Sequence, residues 1–445
     1  MGPQAPWLAS HGAYSFLRSS LPKVVVTYSE AWHTKGGEAV EKGILNNLKT
    51  LLKKGESKMV LCVVDGLGGI PHPDFGGKTE LEAARTPNLD VLAKKSVLGL
   101  MTPVNYGITP GSGPGHIALF GYDPEELVIG RGVLEALGVG MELKEGDVAA
   151  RANFATKNAE GIITDRRAGR ISTEECQRLV EKLQQQIQKI EDVEILLKPG
   201  KEHRFVLVLR GRGLGDRLKD TDPQKEGLPP YEPKGFDEPS EKTARIVRAF
   251  LEKATSLLGD EPKANAILLR GFSQSPVLEK FPERYGVRAL AIAIYPMYKG
   301  IARLFGFDTP DVEGDLRNEI ELLKAKWNDY DFFFLHYKDT DKAGEDGDFL
   351  RKVQCIEYFD SLLPEILALS PDVLVITGDH STPALLRGHS WHPSPVLLHS
   401  LYGGVPTGER FTEKECARGY LGHFPAKALM SLILSAALRL GKFGA

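Results

Sequence analysis

A serine flanked by glycines is the first residue of this chain that could do chemistry. Ser112 lies within the segment GSGPGH (111–116). A serine hydroxyl is a weak nucleophile at its ordinary pKa, and it needs a neighbouring base or cation to activate it. Segments rich in glycine, serine and proline are more often plain loops than active sites. Ser112 therefore becomes a candidate nucleophile if a cation site lies beside it. His116 is interpreted as a core histidine, with a ligand or orienting role left open.

Acidic and histidine side chains elsewhere in the chain could supply that cation site. Asp341 and Glu345 lie four residues apart, within reach of one ion, and Asp379 and His380 are adjacent. Any single Asp could equally be a helix cap or a solvated loop residue. Carboxylates combined with imidazoles suit Mn²⁺, Mg²⁺ or Zn²⁺ better than metals that prefer thiolates. Taken jointly, the residues predict a metal site with these candidate ligands: Asp65, Asp341, Glu345, Asp379, His380 and His389.

Three apolar runs lead directly to these acids. The run MVLCVV (59–64) precedes Asp65, FFFLH (332–336) leads to Asp339 and Asp341, and VLVIT (373–377) leads to Asp379. Continuous apolar runs are typical of parallel strands that are buried on both faces. Sites in α/β proteins lie at the carboxyl ends of such strands, so we expect these three ends to meet. The sequence predicts an α/β fold built on a doubly wound, mostly parallel sheet.

The middle of the chain, residues 128–298, is interpreted as an inserted α/β domain. It has strand patterns of its own at 205–209, 266–269 and 290–294, a helix that begins after Ser172, and a helix from about Ser240 to Leu258. Its loops are rich in arginine, whose guanidinium group suits bidentate contact with phosphate or carboxylate. Any one of these arginines could instead pair with a surface acid. They are Arg151, Arg166, Arg167, Arg170, Arg204, Arg210, Arg212 and Arg270.

Composition narrows the class of partner. The 445 residues are enough for two domains, and 42% hydrophobic and 26% charged residues are typical of a soluble globular protein. No run approaches the roughly 18 apolar residues of a membrane span. The formal charge of -3 offers no basic surface for nucleic acid. We therefore expect a small-molecule partner, no nucleic acid and no membrane, and the sequence leaves an oligomer open.

Cysteine usage and the start of the chain bear on location. The cysteines are widely scattered without a CxxC pair, and we interpret them as reduced and buried. The opening residues show no basic segment followed by an apolar one, which makes export unexpected and favours the cytoplasm. The cysteines are Cys62, Cys176, Cys355 and Cys416.

Seven short motifs follow one another from Met59 to the C-terminus. They are VVDGLG (63–68), TPNLD (86–90), FGYDP (120–124), RG (131–132), RANFAT (151–156), DRRAGR (165–170) and GDHSTP (378–383). In type and order they resemble the archaeal-type, 2,3-bisphosphoglycerate-independent phosphoglycerate mutases of the alkaline phosphatase superfamily. The resemblance implies an alkaline-phosphatase-like domain with two divalent metal ions, formed by residues 58–127 and 299–445, and an inserted substrate-binding domain at 128–298. It also implies a phosphorylated sugar acid as substrate and no use of 2,3-bisphosphoglycerate.

The resemblance also assigns roles, motif by motif. Ser112 would be the nucleophile, and Asp165 the general base for the hydroxyls of the sugar acid. One ion would be held by Asp65, Ser112, Asp379 and His380. The other would be held by Asp341, Glu345 and His389. The phosphate and carboxylate of the substrate would be held by a basic set, of which Arg166 and Lys299 would also be catalytic: Arg131, Arg151, Arg166, Arg170, Arg270 and Lys299.

Two features depart from the family pattern. Glu345 stands where many relatives have a histidine, and this exchange of imidazole for carboxylate favours Mn²⁺ or Mg²⁺ while leaving Zn²⁺ and Co²⁺ open. Residues 1–57 precede the usual start of the family as an N-terminal extension of unclear role. They contain a strand-like run at 24–26 and a helical pattern from Glu38 to Lys54.

These features predict an enzyme of glycolysis and gluconeogenesis that interconverts 3-phosphoglycerate and 2-phosphoglycerate through a phosphoserine. A metal-dependent phosphomonoesterase or phosphodiesterase of the same superfamily would share Ser112 and the metal ligands. Such a hydrolase would have less use for an arginine-rich domain that retains the glycerate and excludes water. A non-catalytic metal-binding relative is a further alternative, suggested only by Glu345 and the N-terminal extension.

Overall fold

The computed structural model describes residues 48–444. The strand-like run at 24–26 and most of the helical pattern from Glu38 to Lys54 lie outside these residues, so both stay predictions. The strands are β1 (Met59–Val64), β2 (Val97–Thr102), β3 (Val148–Lys157), β4 (Ile163–Asp165), β5 (Lys189–Ile190), β6 (Val193–Pro199), β7 (Arg204–Arg210), β8 (Ala266–Gln274), β9 (Ala289–Ile292), β10 (Phe332–Tyr337), β11 (Val373–Thr377), β12 (Ser394–His399) and β13 (Gly422–Pro425).

Helices connect these strands. Short 3₁₀ turns lie at Pro73–Phe75, Ala168–Arg170 and Ala426–Ala428. The α-helices are α1 (Glu80–Ala83), α2 (Pro87–Ala93), α3 (Ser112–Leu119), α4 (Arg131–Gly138), α5 (Thr173–Gln186), α6 (Glu238–Leu258), α7 (Phe281–Tyr285), α8 (Pro296–Leu304), α9 (Leu316–Lys326), α10 (Asp339–Asp346), α11 (Phe349–Leu367), α12 (Glu413–Cys416) and α13 (Leu429–Ala436). Among the described residues, no helix is both long enough and apolar enough to cross a membrane.

The larger sheet has the strand order β13-β2-β12-β11-β1-β10-β9. Neighbouring strands are parallel except at β12, which runs antiparallel to both β11 and β2. Every residue of β1, β10 and β11 is buried, as expected for strands covered on both faces. The side chains of β10 alternate accordingly: Phe334 contacts Phe120 on one face, and Phe333 joins the core formed with α2, α9 and α11 on the other. The predicted α/β fold with a doubly wound, mostly parallel sheet is confirmed.

The three predicted strand ends meet at one edge of this sheet. Strand β1 pairs in parallel with β10 on one side and with β11 on the other, so that Val63 lies beside both His336 and Thr377. Residues that follow these strands, including Asp65 and Asp379, therefore emerge together. This edge is where the candidate ligands were expected.

The second sheet has the order β4-β3-β7-β6-β5, with β8 paired to β3 on the side away from β7, and all of its pairings are antiparallel. Helices α5 and α6 supply its core. The Ser172 hydroxyl accepts a hydrogen bond from the Glu175 backbone N–H and caps α5, as predicted. Helix α6 begins at Glu238, two residues before the expected start, because Asp237 caps it.

One strand assignment was wrong. The pattern at 290–294 forms β9 (Ala289–Ile292), which pairs with β10 in the larger sheet and does not join the strands of the middle region. A short apolar run carries no information on its partner strand, because pairing is non-local. The domain boundaries at 58–127, 128–298 and 299–445 stay a prediction.

The cysteines differ in exposure. Cys62, Cys176 and Cys416 are buried, as predicted, whereas Cys355 on α11 is only half-buried. All four are free thiols. The expectation of burial was therefore wrong for Cys355. This residue packs against the edge of the core and is only partly covered by it.

Candidate active site

Buried acids and a histidine occupy the edge where β1, β10 and β11 end. Asp65, Asp341, Asp379 and His380 are each 0% exposed. The Nε2 atom of His380 lies 3.2 Å from Asp379 Oδ2 and 3.5 Å from Asp65 Oδ1. Its Nδ1 atom lies 3.9 Å from Asp341 Oδ1 and 3.0 Å from the Thr382 hydroxyl. The imidazole of His380 thus stands between acids that come from three different strand ends.

Two groups of side chains at this edge have ligand atoms close enough to hold one ion each. The first group is Asp65, Asp379 and His380, and the second is Asp341, His380 and His389; the ligand atoms within each group lie within 4.8 Å of one another. His380 belongs to both groups. The structure therefore brings together five of the predicted metal ligands.

His389 completes the second group from a loop after β11. Its ring stacks on that of His380 with the centroids 3.7 Å apart, and its Nε2 atom lies 3.5 Å from Asp341 Oδ1. Its Nδ1 atom lies 2.9 Å from the carbonyl oxygen of Pro110. Since a carbonyl can only accept, Nδ1 donates this hydrogen bond, and Nε2 is the ring atom that could ligate.

Glu345 lies beside the second group without being part of it. It is one helical turn after Asp341 on α10, and its Oε1 atom lies 3.6 Å from His389 Nε2. Its side chain is 54% exposed, whereas that of Asp341 is 0% exposed. A ligand role for Glu345 stays a prediction.

Ser112 is the first residue of α3 and borders the first group. Its Oγ atom lies 3.3 Å from His380 Nε2. The N-terminus of a helix favours negative charge, and this suits an ionised serine oxygen or a phosphoryl group. Close packing of α3 on the end of β11 depends on Gly115, where a Cβ atom would lie 2.5 Å from the carbonyl oxygen of Asp379.

The donor set fits divalent cations. Asp65 Oδ1 and Asp379 Oδ2 are buried, and neither has a hydrogen-bond partner. Burial alone would raise the pKa of the Asp65 carboxyl, but the hydrogen bond with His336 and the charge of Lys338 hold it well below its usual range. Burial lowers the pKa of His380, so this imidazole is neutral and able to ligate. Buried, ionised oxygens without donors are what a hard divalent cation would satisfy.

Four of the predicted arginines form a second cluster, linked by two acids. Arg151 on β3 lies opposite Arg270 on β8. Arg131 and Arg151 both approach Glu135, at 3.5 Å and 2.9 Å. Burial lowers the pKa of Arg151 to about 10, despite Glu135. The Nε atoms of Arg151 and Arg270 are buried without a hydrogen-bond partner.

Arg166 and Arg270 share the second acid. Arg166 donates two hydrogen bonds to the Asp222 carboxylate, at 2.9 Å and 2.7 Å, and Arg270 Nε lies 4.0 Å from it. The helix that begins at Arg131, α4, also packs against α3, because a Cβ atom on Gly113 would lie 3.3 Å from Leu134 of α4. A cluster of guanidinium groups with unused donors suits an anionic ligand.

Three predicted site residues lie outside both clusters. The carboxylate of Asp165 accepts hydrogen bonds from the backbone N–H groups of Arg167 and Gly169, at 2.7 Å and 2.6 Å. Arg170 is exposed at the end of a 3₁₀ turn. Lys299 Nζ pairs with Asp311 Oδ1 at 2.5 Å. Within the described part of the chain, none of the three contacts Ser112 or the two ligand groups, and their roles stay predictions.

Proteins of one named family match most of this chain in sequence. A family model for 2,3-bisphosphoglycerate-independent phosphoglycerate mutase matches residues 93–264. A probable enzyme of that name from Aquifex aeolicus is 54% identical over 407 residues, which cover 89% of this chain and 99% of that protein. The chain belongs to this mutase family. The resemblance drawn from its seven motifs is confirmed.

A second sequence relative and a solved structure from the same mutase family also match this chain. A probable 2,3-bisphosphoglycerate-independent phosphoglycerate mutase from Thermus thermophilus is 56% identical over 401 residues, which cover 89% of this chain and 98% of that protein. The solved structure of a cofactor-independent phosphoglycerate mutase from Thermoplasma acidophilum superposes with a TM-score of 0.72 at 31% identity, covering 86% of this chain and 100% of that one.

In this mutase family member, the sequence analysis did not identify Lys338 as a residue of the candidate site. Its ammonium group lies 3.1 Å from Asp65 Oδ2, 2.5 Å from Asp341 Oδ2 and 2.7 Å from the Tyr298 hydroxyl. Burial alone would lower the pKa of Lys338, but the charges of Asp65 and Asp341 raise it above its usual range. Its position in the sequence could have identified it, because Lys338 is the first residue after β10 and comes three residues before the candidate ligand Asp341.

His116 is also closer to the site than expected. It is 0% exposed, and its Nδ1 atom lies 2.8 Å from the Ser112 carbonyl oxygen and 3.3 Å from Asp379 Oδ2. The interpretation as a core histidine is confirmed by its burial, but its Nε2 atom has no hydrogen-bond partner. Burial opposes the charged form, but Asp379 raises the pKa of His116. The ring therefore lies between the first turn of α3 and Asp379.

Proposed function

We propose that this chain is a cofactor-independent phosphoglycerate mutase that interconverts 3-phosphoglycerate and 2-phosphoglycerate through a phosphoserine at Ser112. The observation that carries the proposal is the position of Ser112 Oγ, 3.3 Å from His380 Nε2 at the first ligand group. Family membership supports the same reaction. We place the enzyme in the cytoplasm, in glycolysis and gluconeogenesis.

Two divalent cations, with Mn²⁺ or Mg²⁺ favoured, would lower the pKa of the Ser112 hydroxyl and neutralise charge on the phosphoryl group. Asp65, Ser112, Asp379 and His380 would hold one, and Asp341, His389 and Glu345 the other. No 2,3-bisphosphoglycerate is required, because Ser112 itself accepts the phosphoryl group.

The Ser112 oxygen attacks phosphorus, and the bond from phosphorus to the glycerate oxygen breaks. That oxygen takes up a proton, and glycerate becomes free in the site. Its other hydroxyl then loses a proton and attacks the phosphoserine, which restores Ser112 and completes the exchange of positions. Asp165 is proposed as the base for these hydroxyls, and Lys338, which pairs with Asp65, is proposed to offset the charge of the transferred group.

The arginine cluster would distinguish a mutase from a hydrolase. Arg131, Arg151, Arg166 and Arg270 can hold the carboxylate of the freed glycerate and keep water from the phosphoserine while the glycerate turns. Arg170 and Lys299 are proposed to join them. Release of glycerate before the second transfer would leave the phosphoserine to hydrolysis.

A single assay tests the proposal. The purified protein is supplied with Mn²⁺ and 3-phosphoglycerate, and both 2-phosphoglycerate and free phosphate are measured. Formation of the isomer without phosphate is the expected result. Phosphate alone would identify a hydrolase of the superfamily, and neither product together with tight metal binding would favour a non-catalytic relative.

Arg166→Ala is expected to lower isomerisation by about 10-fold to 100-fold while lowering slow phosphate release less, because Arg166 would retain the intermediate and would not activate Ser112. The ratio of phosphate to isomer should therefore rise. The matched control is Arg178→Ala, on the same region of the chain, whose side chain is 51% exposed and pairs with Glu175 and Glu261. A proportional fall of both activities in Arg166→Ala would contradict the retention role.

Glu345→His is expected to move the metal that gives the highest activity toward Zn²⁺ or Co²⁺. Replacing a carboxylate by an imidazole removes a hard oxygen donor and a negative charge beside His389. The measurement is activity and metal affinity across Mn²⁺, Mg²⁺, Co²⁺ and Zn²⁺. An unchanged profile with unchanged affinities would show that position 345 does not ligate.

A further inference from the structure

A buried lysine lies beneath the loops that carry the metal ligands. Lys352 on α11 is 0% exposed. Its ammonium group donates hydrogen bonds to two backbone carbonyl oxygens, 3.0 Å to Gly68 and 2.8 Å to Thr382. A charged group is costly to bury unless partners compensate for its lost hydration. Lys352 belongs to neither ligand group, so its burial calls for another function.

The two carbonyls that Lys352 joins belong to different metal loops. Gly68 follows Asp65 by three residues, and Thr382 follows His380 by two. The backbone N–H of Thr382 also approaches the carbonyl oxygens of Gly66 and Gly68, at 3.2 Å and 3.1 Å. Lys352 therefore fixes the loop after β1 and the loop after β11 at the point where they touch.

Thr382 connects the two loops to both ligand groups, because its side chain contacts two of the candidate ligands. Its hydroxyl donates a hydrogen bond to Asp341 Oδ1 at 2.5 Å and lies 3.0 Å from His380 Nδ1. One side chain thus fixes the orientation of two candidate ligands, and its own backbone is held by Lys352. Restraints of this kind commonly set metal affinity, because they orient the ligands before the ion arrives.

Two acids complete the cluster around Lys352. Glu80 accepts a hydrogen bond from the Ala384 backbone N–H at 2.7 Å, and its Oε2 atom lies 4.0 Å from Lys352 Nζ. Glu413 accepts hydrogen bonds from the Gly69 backbone N–H at 2.9 Å and from the Thr79 hydroxyl at 2.8 Å. Each acid therefore holds one of the two loops that Lys352 joins.

The loops pack closely against each other and against Glu80. A Cβ atom on Gly68 would lie 1.9 Å from Ser381 Oγ, and one on Gly69 would lie 2.0 Å from Glu80 Oε2. Glycine permits this close approach at both positions. Displacement of either loop would move Asp65 relative to Asp379 and His380.

We infer that Lys352, assisted by Glu80 and Glu413, is a positioning residue that holds the two metal loops together, so that both ligand groups exist before metal binds. The inference rests on the proposed metal role of those groups. Lys352 contacts no ligand side chain and acts through the Gly68 and Thr382 carbonyls. Its loss should weaken metal binding and turnover more than substrate binding.

The experiment compares Lys352→Met with wild-type protein and with Asp360→Asn. Asp360 lies on the same helix and accepts hydrogen bonds from the Asn88 side chain and the Leu89 backbone, away from the metal loops. Three quantities are measured for each protein. They are the affinity for Mn²⁺ by calorimetry, the melting temperature without metal, and kcat and KM at saturating Mn²⁺. Lys352→Met should bind Mn²⁺ at least about tenfold more weakly, with a fall in kcat and little change in KM. Asp360→Asn should lose stability while keeping wild-type affinity for Mn²⁺.

A second variant covers the case in which Lys352→Met does not fold because Glu80 is left as an unpaired buried charge. The double variant Lys352→Met with Glu80→Gln removes both charges and keeps an acceptor for Ala384. It should fold and still bind Mn²⁺ at least about tenfold more weakly. Wild-type affinity in either folded variant, or an equal loss in Asp360→Asn, would overturn the positioning role alone. A wild-type protein that does not bind Mn²⁺ would overturn the metal proposal and this inference with it.

Discussion

Ser112→Ala is expected to lower the rate of 2-phosphoglycerate formation from 3-phosphoglycerate by at least about 10³-fold at saturating Mn²⁺. The proposed exchange needs a covalent acceptor for the phosphoryl group, and a methyl group offers none. Water cannot replace the serine, because phosphate would then leave the enzyme and only hydrolysis would remain. Mass spectrometry of wild-type protein quenched during turnover should find phosphate on Ser112.

The control for this substitution is Ser361→Ala, an exposed serine on α11 whose hydroxyl donates to the Tyr358 carbonyl oxygen. It should keep wild-type activity. Ser112→Ala itself should keep the melting temperature and the amount of Mn²⁺ bound, since the other ligands of both groups remain. Isomerisation by Ser112→Ala at a rate near that of wild type would exclude the phosphoserine route.

Asp379→Asn is expected to lower Mn²⁺ affinity by more than about 100-fold and to remove most of the activity at ordinary metal concentrations. Its Oδ2 atom is buried, has no hydrogen-bond donor and faces His380 Nε2 at 3.2 Å. An amide in its place brings no negative charge to the first group. Calorimetric titration with Mn²⁺ measures the loss directly.

The matched control is Asp331→Asn, whose carboxylate pairs with Arg288 at the opposite ends of the strands. It should keep wild-type affinity for Mn²⁺. Recovery of activity by Asp379→Asn at high Mn²⁺ would agree with a ligand role. Unchanged affinity would instead leave Asp379 a structural role, in which its Oδ1 atom accepts a hydrogen bond from the Gly66 backbone N–H.

The sheet edge could be predicted because its signals are local. The apolar runs before Asp65 and Asp379 define buried strands, and buried parallel strands deliver their next residues to one edge. Ser112 was singled out from its glycine neighbours, one of which, Gly115, allows α3 to pack closely against Asp379. These features depend on a few consecutive residues each.

Other features depend on contacts that no local pattern encodes. Lys352 reads as an ordinary charged residue on an amphipathic helix, and only the meeting of two distant loops explains its burial. The pairing of Arg151 with Arg270 depends on strand register across more than a hundred residues. The pattern at 290–294 predicted a strand correctly and placed it in the wrong sheet, since its partner β10 is distant in sequence.

The contact between Thr382 and His380 makes the two ligand groups unequal. The Thr382 hydroxyl gives its proton to Asp341, so it must accept from His380, and the proton of that neutral imidazole lies on Nδ1. The lone pair on Nε2 then serves only the group that contains Asp65 and Asp379. The other group is left with Asp341 and His389 as its donors. Glu345, whose Oε1 atom lies 3.6 Å from His389 Nε2, is the nearby acid that would add a donor to this group if it ligates.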